Sequence, residues 1–193
     1  YGKVQTVPQT ERTPFYPRSP YACAKVFGFD ITRNYREAYG LFACSGILFN
    51  HTGILRGEEF VTRKITQNIA RWYLNKIPSF ELGNIDAKRD FGSAEDYVEM
   101  MYKMMHLDAA DDFVISSNET HSIRDIIKIC FEELDIQEEY RNEGIDTQIW
   151  ARGMPVITMS KEFFRPAEVD LLHGSSEKAK KALGWQPKTS FRQ

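Results

Sequence analysis

Apolar positions along this chain keep one spacing for a stretch, then change it where prolines and glycines intervene. Over residues 2–19 no period survives, because Pro8, Pro14, Pro17 and then Pro20 each fix φ and disfavour helix in the residue before. That stretch is expected to be extended loop. Helix is predicted from there on, with Ser19 as N-cap and Pro20 at the first helical position. It runs through Ala22, Ala24, Lys25, Phe27, Ile31 and Tyr35 toward Gly40. Residues 41–49 are nearly continuously apolar and of strand length, the pattern of a parallel strand buried on both faces. A helix feeding such a strand indicates an α/β fold.

Helical spacing returns over 60–76, with Val61, Ile65, Ile69 and Tyr73 on one face and Pro78 closing it. Short strands are predicted at 80–82 and around 89–91, a helix over 94–106, and a buried strand at 113–115. The stripe of Tyr97, Met100, Met101, Met104 and Met105 reads as core filler. Ser122 and Asp125 have the spacing of a capping box ahead of Ile126, Ile127, Cys130, Phe131 and Leu134. A last short helix is expected at 177–183, with Ser176 as N-cap and Gly184 ending it. Residues 137–160 mix charges with Gly144, Gly153 and Pro155, and read as a loop or insertion whose one strand candidate is 156–158.

Composition narrows the class. The chain has 193 residues, 42% hydrophobic and 27% charged, which suits a packed globular core and argues against disorder or coiled coil. A formal net charge of -2 gives no bulk attraction to nucleic acid or to an anionic membrane, so neither is an expected partner. Any anionic ligand must be met by local cations. No apolar run approaches the ~20 residues needed to cross a bilayer. Cys23, Cys44 and Cys130 are odd in number and widely spaced, as in a reduced, cytoplasmic protein. His106, His121 and His173 lack metal-ligand spacing, and no metal is expected. The chain opens on Tyr1 rather than Met, which reads as a fragment of a longer protein.

The chemistry begins at Tyr21-Ala22-Cys23-Ala24-Lys25, which sets a phenol and an ammonium on one helix face, one turn apart. A free Tyr titrates near ~10. A neighbouring Lys favours its phenolate and can also hydrogen-bond a ribose hydroxyl. Such a pair can take a hydroxyl proton as hydride leaves the same carbon. Asn50 and His51 stand at the carboxyl end of the next strand, where ligands of parallel sheets bind.

In that context the pair resembles the extended short-chain dehydrogenase/reductase arrangement. Further blocks resemble the GDP-mannose 4,6-dehydratases in order: Phe15 to Tyr21, Asn34-Tyr35-Arg36-Glu37, Gly46 to His51, Arg56-Gly57-Glu58 and Phe60 to Ile65. Leu82-Gly83-Asn84, Arg89-Asp90, Phe164 to Val169 and Leu183-Gly184-Trp185 complete the series. The resemblance implies a Rossmann-like doubly wound parallel sheet, second half only, with a smaller C-terminal α/β substrate-binding domain. Residues 1–58 would finish the NADP-binding domain, and 59–193 would mainly bind the GDP-sugar, with about 84–110 returning to the first.

It implies roles as well: Tyr21 as base toward the hexose 4-hydroxyl, Lys25 beside it on the nicotinamide ribose, and His51 and Arg56 as NADP contacts. For GDP-mannose it implies Asn50, Phe60, Val61, Lys64, Gly83, Arg89, Arg165 and Glu168. Lys64, Arg89 and Arg165 are cations suited to a diphosphate. The implied reaction is internal redox: C4 is oxidised, water is lost across C5 and C6, and hydride returns to C6, giving GDP-4-dehydro-6-deoxy-D-mannose for GDP-fucose or related deoxysugars. The resemblance also implies a homo-oligomer, dimer or tetramer. The family's Thr or Ser and its Glu fall just upstream of Tyr1, and its Gly-rich dinucleotide turn is not among these residues, so the 193 residues alone are expected to be inactive and poorly stable. Thr52-Gly53-Ile54-Leu55 replaces the commoner Glu-Ser-Pro-type loop and keeps a reductase of the 4-keto product as the alternative. A non-catalytic GDP-sugar-binding module is the rival from another class.

Overall fold

The computed structural model describes residues 1–164, 169 and 171–193; Arg165 and Glu168 lie outside the described residues. In chain order its elements are α1 (Pro20–Tyr39), β1 (Ser45–Leu48), β2 (Asn50–Thr52), α2 (Val61–Tyr73), β3 (Phe80–Leu82), β4 (Lys88–Arg89), β5 (Phe91–Ser93) and α3 (Ala94–Met104). There follow β6 (Asp112–Ile115), β7 (His121–Ser122), α4 (Ile123–Glu132), β8 (Glu138–Arg141), β9 (Gln148–Ala151), β10 (Met154–Met159) and α5 (Glu177–Leu183). The chain forms two compact units: Tyr1–Gly53 with Arg89–Thr120 and Val169–Gln193, and Ile54–Lys88 with His121–Glu168.

In the first unit, β1 pairs in parallel with β6, and the chain then changes partner so that β2 pairs in parallel with β5. α1 begins and ends where local signals place it: the Ser19 hydroxyl accepts from Ala22 N at 3.1 Å, and Gly40 takes a left-handed φ of 64°. The run 41–49 does not form one strand buried on both faces. Leu41 and Phe42 are exposed and every residue of β1 is half-buried, because among the described residues β1 has a neighbouring strand on one side only. α1 correspondingly has no buried residue, and Cys23 on it is exposed instead of packed.

The core of this unit is Tyr97, Met100, Met104, Phe113, Ile115, Ala179 and Trp185. Half of the Met stripe is thus filler, while Met101 and Met105 face out. The C-terminal residues join this unit because Trp185 fills the core, its Nε1 donating to Asp96 O at 3.0 Å. Gln9 bridges to Gly174 as well. The Ser176 hydroxyl does not cap α5; Asn118 holds it, at 2.7 Å from Nδ2.

The second unit contains a four-stranded sheet in the order β3-β10-β9-β8, with β10 parallel to β3 and antiparallel to β9. Residues 137–160 are therefore mostly sheet, not a loop or insertion. Two signals mark it: the alternate burial of Ile149 and Ala151, and the two-residue turn Arg152-Gly153 with φ of 52° and 78°, as a tight hairpin requires. Ile65, Ile69 and Trp72 of α2 and Ile127 and Phe131 of α4 are buried, and the Trp72 and Phe131 rings meet edge-on at 5.8 Å. The capping box of α4 forms as its spacing predicts, with Asp125 N on the Ser122 hydroxyl at 3.2 Å and Ser122 N on Asp125 Oδ2 at 2.7 Å. Ser122→Ala should lower stability by about 1 kcal/mol in denaturant unfolding; an unchanged midpoint would show the cap to be redundant.

Candidate active site

The start of α1 fixes the phenol and the ammonium. Pro20 opens the helix, Cys23 N reaches Ser19 O at 3.0 Å, and Tyr21 stands in the first turn, 71% exposed. Lys25 Nζ lies 5.4 Å from the centre of the Tyr21 ring. No acidic residue occupies this turn. The phenol and the ammonium are thus presented side by side at the open start of the helix.

In the same unit, Asn50 and His51 lead off β2 beside Phe91 and Gly92 of β5. His51 Nδ1 stands 3.0 Å from Phe49 O. A carbonyl only accepts, so Nδ1 carries the proton and Nε2 is left for a ligand. The His51 ring packs 5.0 Å from that of Tyr97, and a Cβ at Gly92 would run into the Tyr97 ring, so glycine is required there. Burial pushes the Tyr97 phenol up, and its hydroxyl has no hydrogen-bond partner among the described residues. Arg89 ends β4 in this unit too.

The second unit holds another group. The Arg56 guanidinium lies 3.6 Å over the Phe60 ring, and Val61 opens α2 directly after Phe60, whose side chain makes no capping hydrogen bond. Lys64 Nζ sits 3.6 Å over the Phe163 ring; burial lowers its pKa, while Glu81 and Glu162 act in the opposite direction. A Cβ at Gly83 would run into the Phe163 carbonyl, so the backbones approach there as only glycine allows. Phe163 thus neighbours both Lys64 and Gly83, yet only its place just before the Phe164 block hints at this in the sequence. Tyr21, Lys25, Asn50, His51 and Arg89 belong to the first unit, and Arg56, Phe60, Val61, Lys64 and Gly83 to the second. No group of three or more His, Cys, Asp or Glu residues that could hold a metal occurs among the described residues.

The fold is that of the extended short-chain dehydrogenases/reductases. RMD from Pseudomonas aeruginosa complexed with NADPH superposes with a TM-score of 0.82 at 23% identity, covering 100% of this chain and 60% of that one. TunA, an NAD-dependent NDP-hexosamine 5,6-dehydratase, does so with a TM-score of 0.78 at 18% identity, covering 100% and 56%. The sequence is more particular: the GDP-mannose 4,6 dehydratase family profile matches residues 1–193, and the chain belongs to that family. The GDP-mannose 4,6 dehydratase of Drosophila melanogaster is 49% identical over 99% of this chain and 49% of its own length. That of Homo sapiens is 48% identical over 99% and 52%, and that of Sinorhizobium fredii 48% over 100% and 55%. The chain spans about half the length of these relatives.

Proposed function

We propose that the protein containing this chain dehydrates GDP-D-mannose to GDP-4-dehydro-6-deoxy-D-mannose by internal redox through bound NADP, for deoxysugar synthesis such as that of GDP-fucose. The observation that carries the reading is the family match across residues 1–193 with Tyr21 and Lys25 in place, one turn apart. These residues fit the nicotinamide end of the cofactor, since the phenol is exposed, no acid in the first turn competes for Lys25, and His51 offers Nε2. NADP, when bound, would supply the hydride acceptor for oxidation at C4 and the hydride donor for reduction at C6.

The chain's own residues bind, orient and take the first proton. Tyr21 Oη removes the C4 hydroxyl proton; Lys25 stabilises the phenolate and holds the ribose; His51 and Arg56 hold the cofactor. Oxidation at C4 matters because the C5 proton of an unoxidised sugar is too weak an acid to remove. Asn50, Phe60, Val61, Lys64, Gly83, Arg89, Arg165 and Glu168 hold GDP-mannose, with Lys64 and the two arginines neutralising the diphosphate. Carboxylate Glu168 accepts from guanine or ribose. Residues 1–58 complete the NADP-binding domain, and 59–193 mainly bind the sugar nucleotide, with about 84–110 returning to the first domain. A homo-oligomer, dimer or tetramer, fits the family. A cytoplasmic setting fits three free cysteines, and no helix among the described residues is long and apolar enough to cross a membrane.

The test is to incubate the whole protein with GDP-mannose without added NADPH. Formation of the 4-keto sugar is expected. Turnover of the 4-keto sugar with NADPH, and none of GDP-mannose, would make it the reductase suggested by Thr52-Gly53. Binding of GDP-mannose without any turnover would make it a binding module.

A further inference from the structure

We propose that Asp90 is a positioning residue for the GDP-sugar, tying the strand that carries Arg89 to the segment that follows the Phe164–Val169 block; this rests on the reading above that Arg89 meets the substrate. Asp90 lies between β4 and β5 and is wholly buried. Its Oδ1 accepts from both the backbone N and the hydroxyl of Ser117, each at 2.7 Å, and its Oδ2 accepts from Gly174 N at 3.3 Å. Ser117 follows the carboxyl end of β6, on the side of a parallel sheet where ligands bind.

The Gly174 segment is itself stitched in place. Gln9 N donates to His173 O at 2.8 Å, and His173 N donates to Gln9 Oε1 at 2.9 Å. His173 Nε2 meets Asn118 O at 3.1 Å, and Ser176 N donates to Asn118 Oδ1 at 2.8 Å. Gly174 packs so closely on Ser116 and Phe49 that a Cβ would collide with both.

Only a carboxylate suits this point, because donors converge on both of its oxygens. An amide has one acceptor oxygen and would turn its NH2 toward another donor. Burial disfavours the charge and pushes the Asp90 carboxyl up, while the donors from Ser117, Gly174 and Asn118 pull against that. A tie this costly to bury is placed where geometry matters. Successive side chains of extended chain point to opposite sides, so holding Asp90 inward turns Arg89 the other way. Arg89 is the chain neighbour of Asp90, so this carboxylate fixes the strand position from which Arg89 projects.

Asp90→Asn in the whole protein should raise KM for GDP-mannose about tenfold or more with kcat within about threefold, since misplacement of binding groups acts mainly on substrate affinity. The dissociation constant of GDP alone, measured by calorimetry, should rise in parallel, and NADP affinity should hold. Ser117→Ala removes one donor and should raise KM by about threefold, with Ser117→Thr restoring it. If Asp90→Asn does not fold, the Ser117 pair decides. A KM and GDP affinity within twofold of wild type in the Asn variant, or in the Ala variant where only that can be made, would overturn the proposal. A wild type that binds GDP but leaves GDP-mannose unchanged refutes the dehydratase instead, and the GDP affinities still decide on Asp90.

Discussion

Tyr21→Phe in the whole protein is expected to cut turnover of GDP-mannose by about a thousandfold, with affinity for GDP-mannose within about threefold of wild type. The change is confined to one oxygen. The ring remains in the first turn of α1, and Lys25 keeps its place 5.4 Å from the ring centre. The group removed is the only one assigned to take the C4 hydroxyl proton, and without it the oxidation that acidifies C5 does not begin. Since the phenol is 71% exposed, its loss leaves no cavity and no orphaned partner, so stability should not move. A product assay beside a thermal melt separates the two effects. A rate within tenfold of wild type would remove Tyr21 from the role, and a matching drop in melting temperature would show the rate loss to be structural.

How far this site was legible in the sequence follows from the range of the interactions. Tyr21 and Lys25 are four residues apart, and α1 is set by Ser19, Pro20 and Gly40, all local signals that survive without knowledge of the rest. The capping box of α4 is local in the same way. By contrast, β8 and β9 are short, charged along β8, and half-exposed at alternate positions, so their alternation is lost among Glu138, Glu139 and Arg141. The hairpin of β9 and β10 turns on Arg152-Gly153, whose positive φ values are uncommon outside glycine. The contacts of Asp90 reach Ser117 and Gly174, and Gln9 reaches His173, far along the chain with no period to announce them. Phe163 beneath the Lys64 ammonium is hidden for the same reason.

The largest stability effect is expected at Asp112. Its carboxylate receives Arg36 Nη1 at 2.8 Å and Nη2 at 2.7 Å in a bidentate pair, and Ser45 N at 3.0 Å. Arg36 Nη1 also reaches Ala43 O at 2.9 Å, so one ion pair ties the last turn of α1 to the starts of β1 and β6. With 18% and 12% of the two side chains exposed, Asp112→Ala strands a guanidinium and an N–H with little access to water. The expected cost is about 2–3 kcal/mol in denaturant unfolding of the whole protein. It falls on a helix that buries no residue and is held from this end by polar contacts. The pH dependence has a definite sign. Burial alone would raise the Asp112 carboxyl, but Arg36 and the Ser45 N–H outweigh it and hold it below the ordinary range. A depressed native pKa contributes stability in full above the unfolded value of ~3.9, and loses it as pH falls through the native value. Between about pH 5 and pH 2 wild type should therefore lose stability faster than Asp112→Asn, and the two curves should converge at the acid end. A gap between them that stays constant across that window would mean that the Arg36 pair stabilises the fold by shape, not by charge.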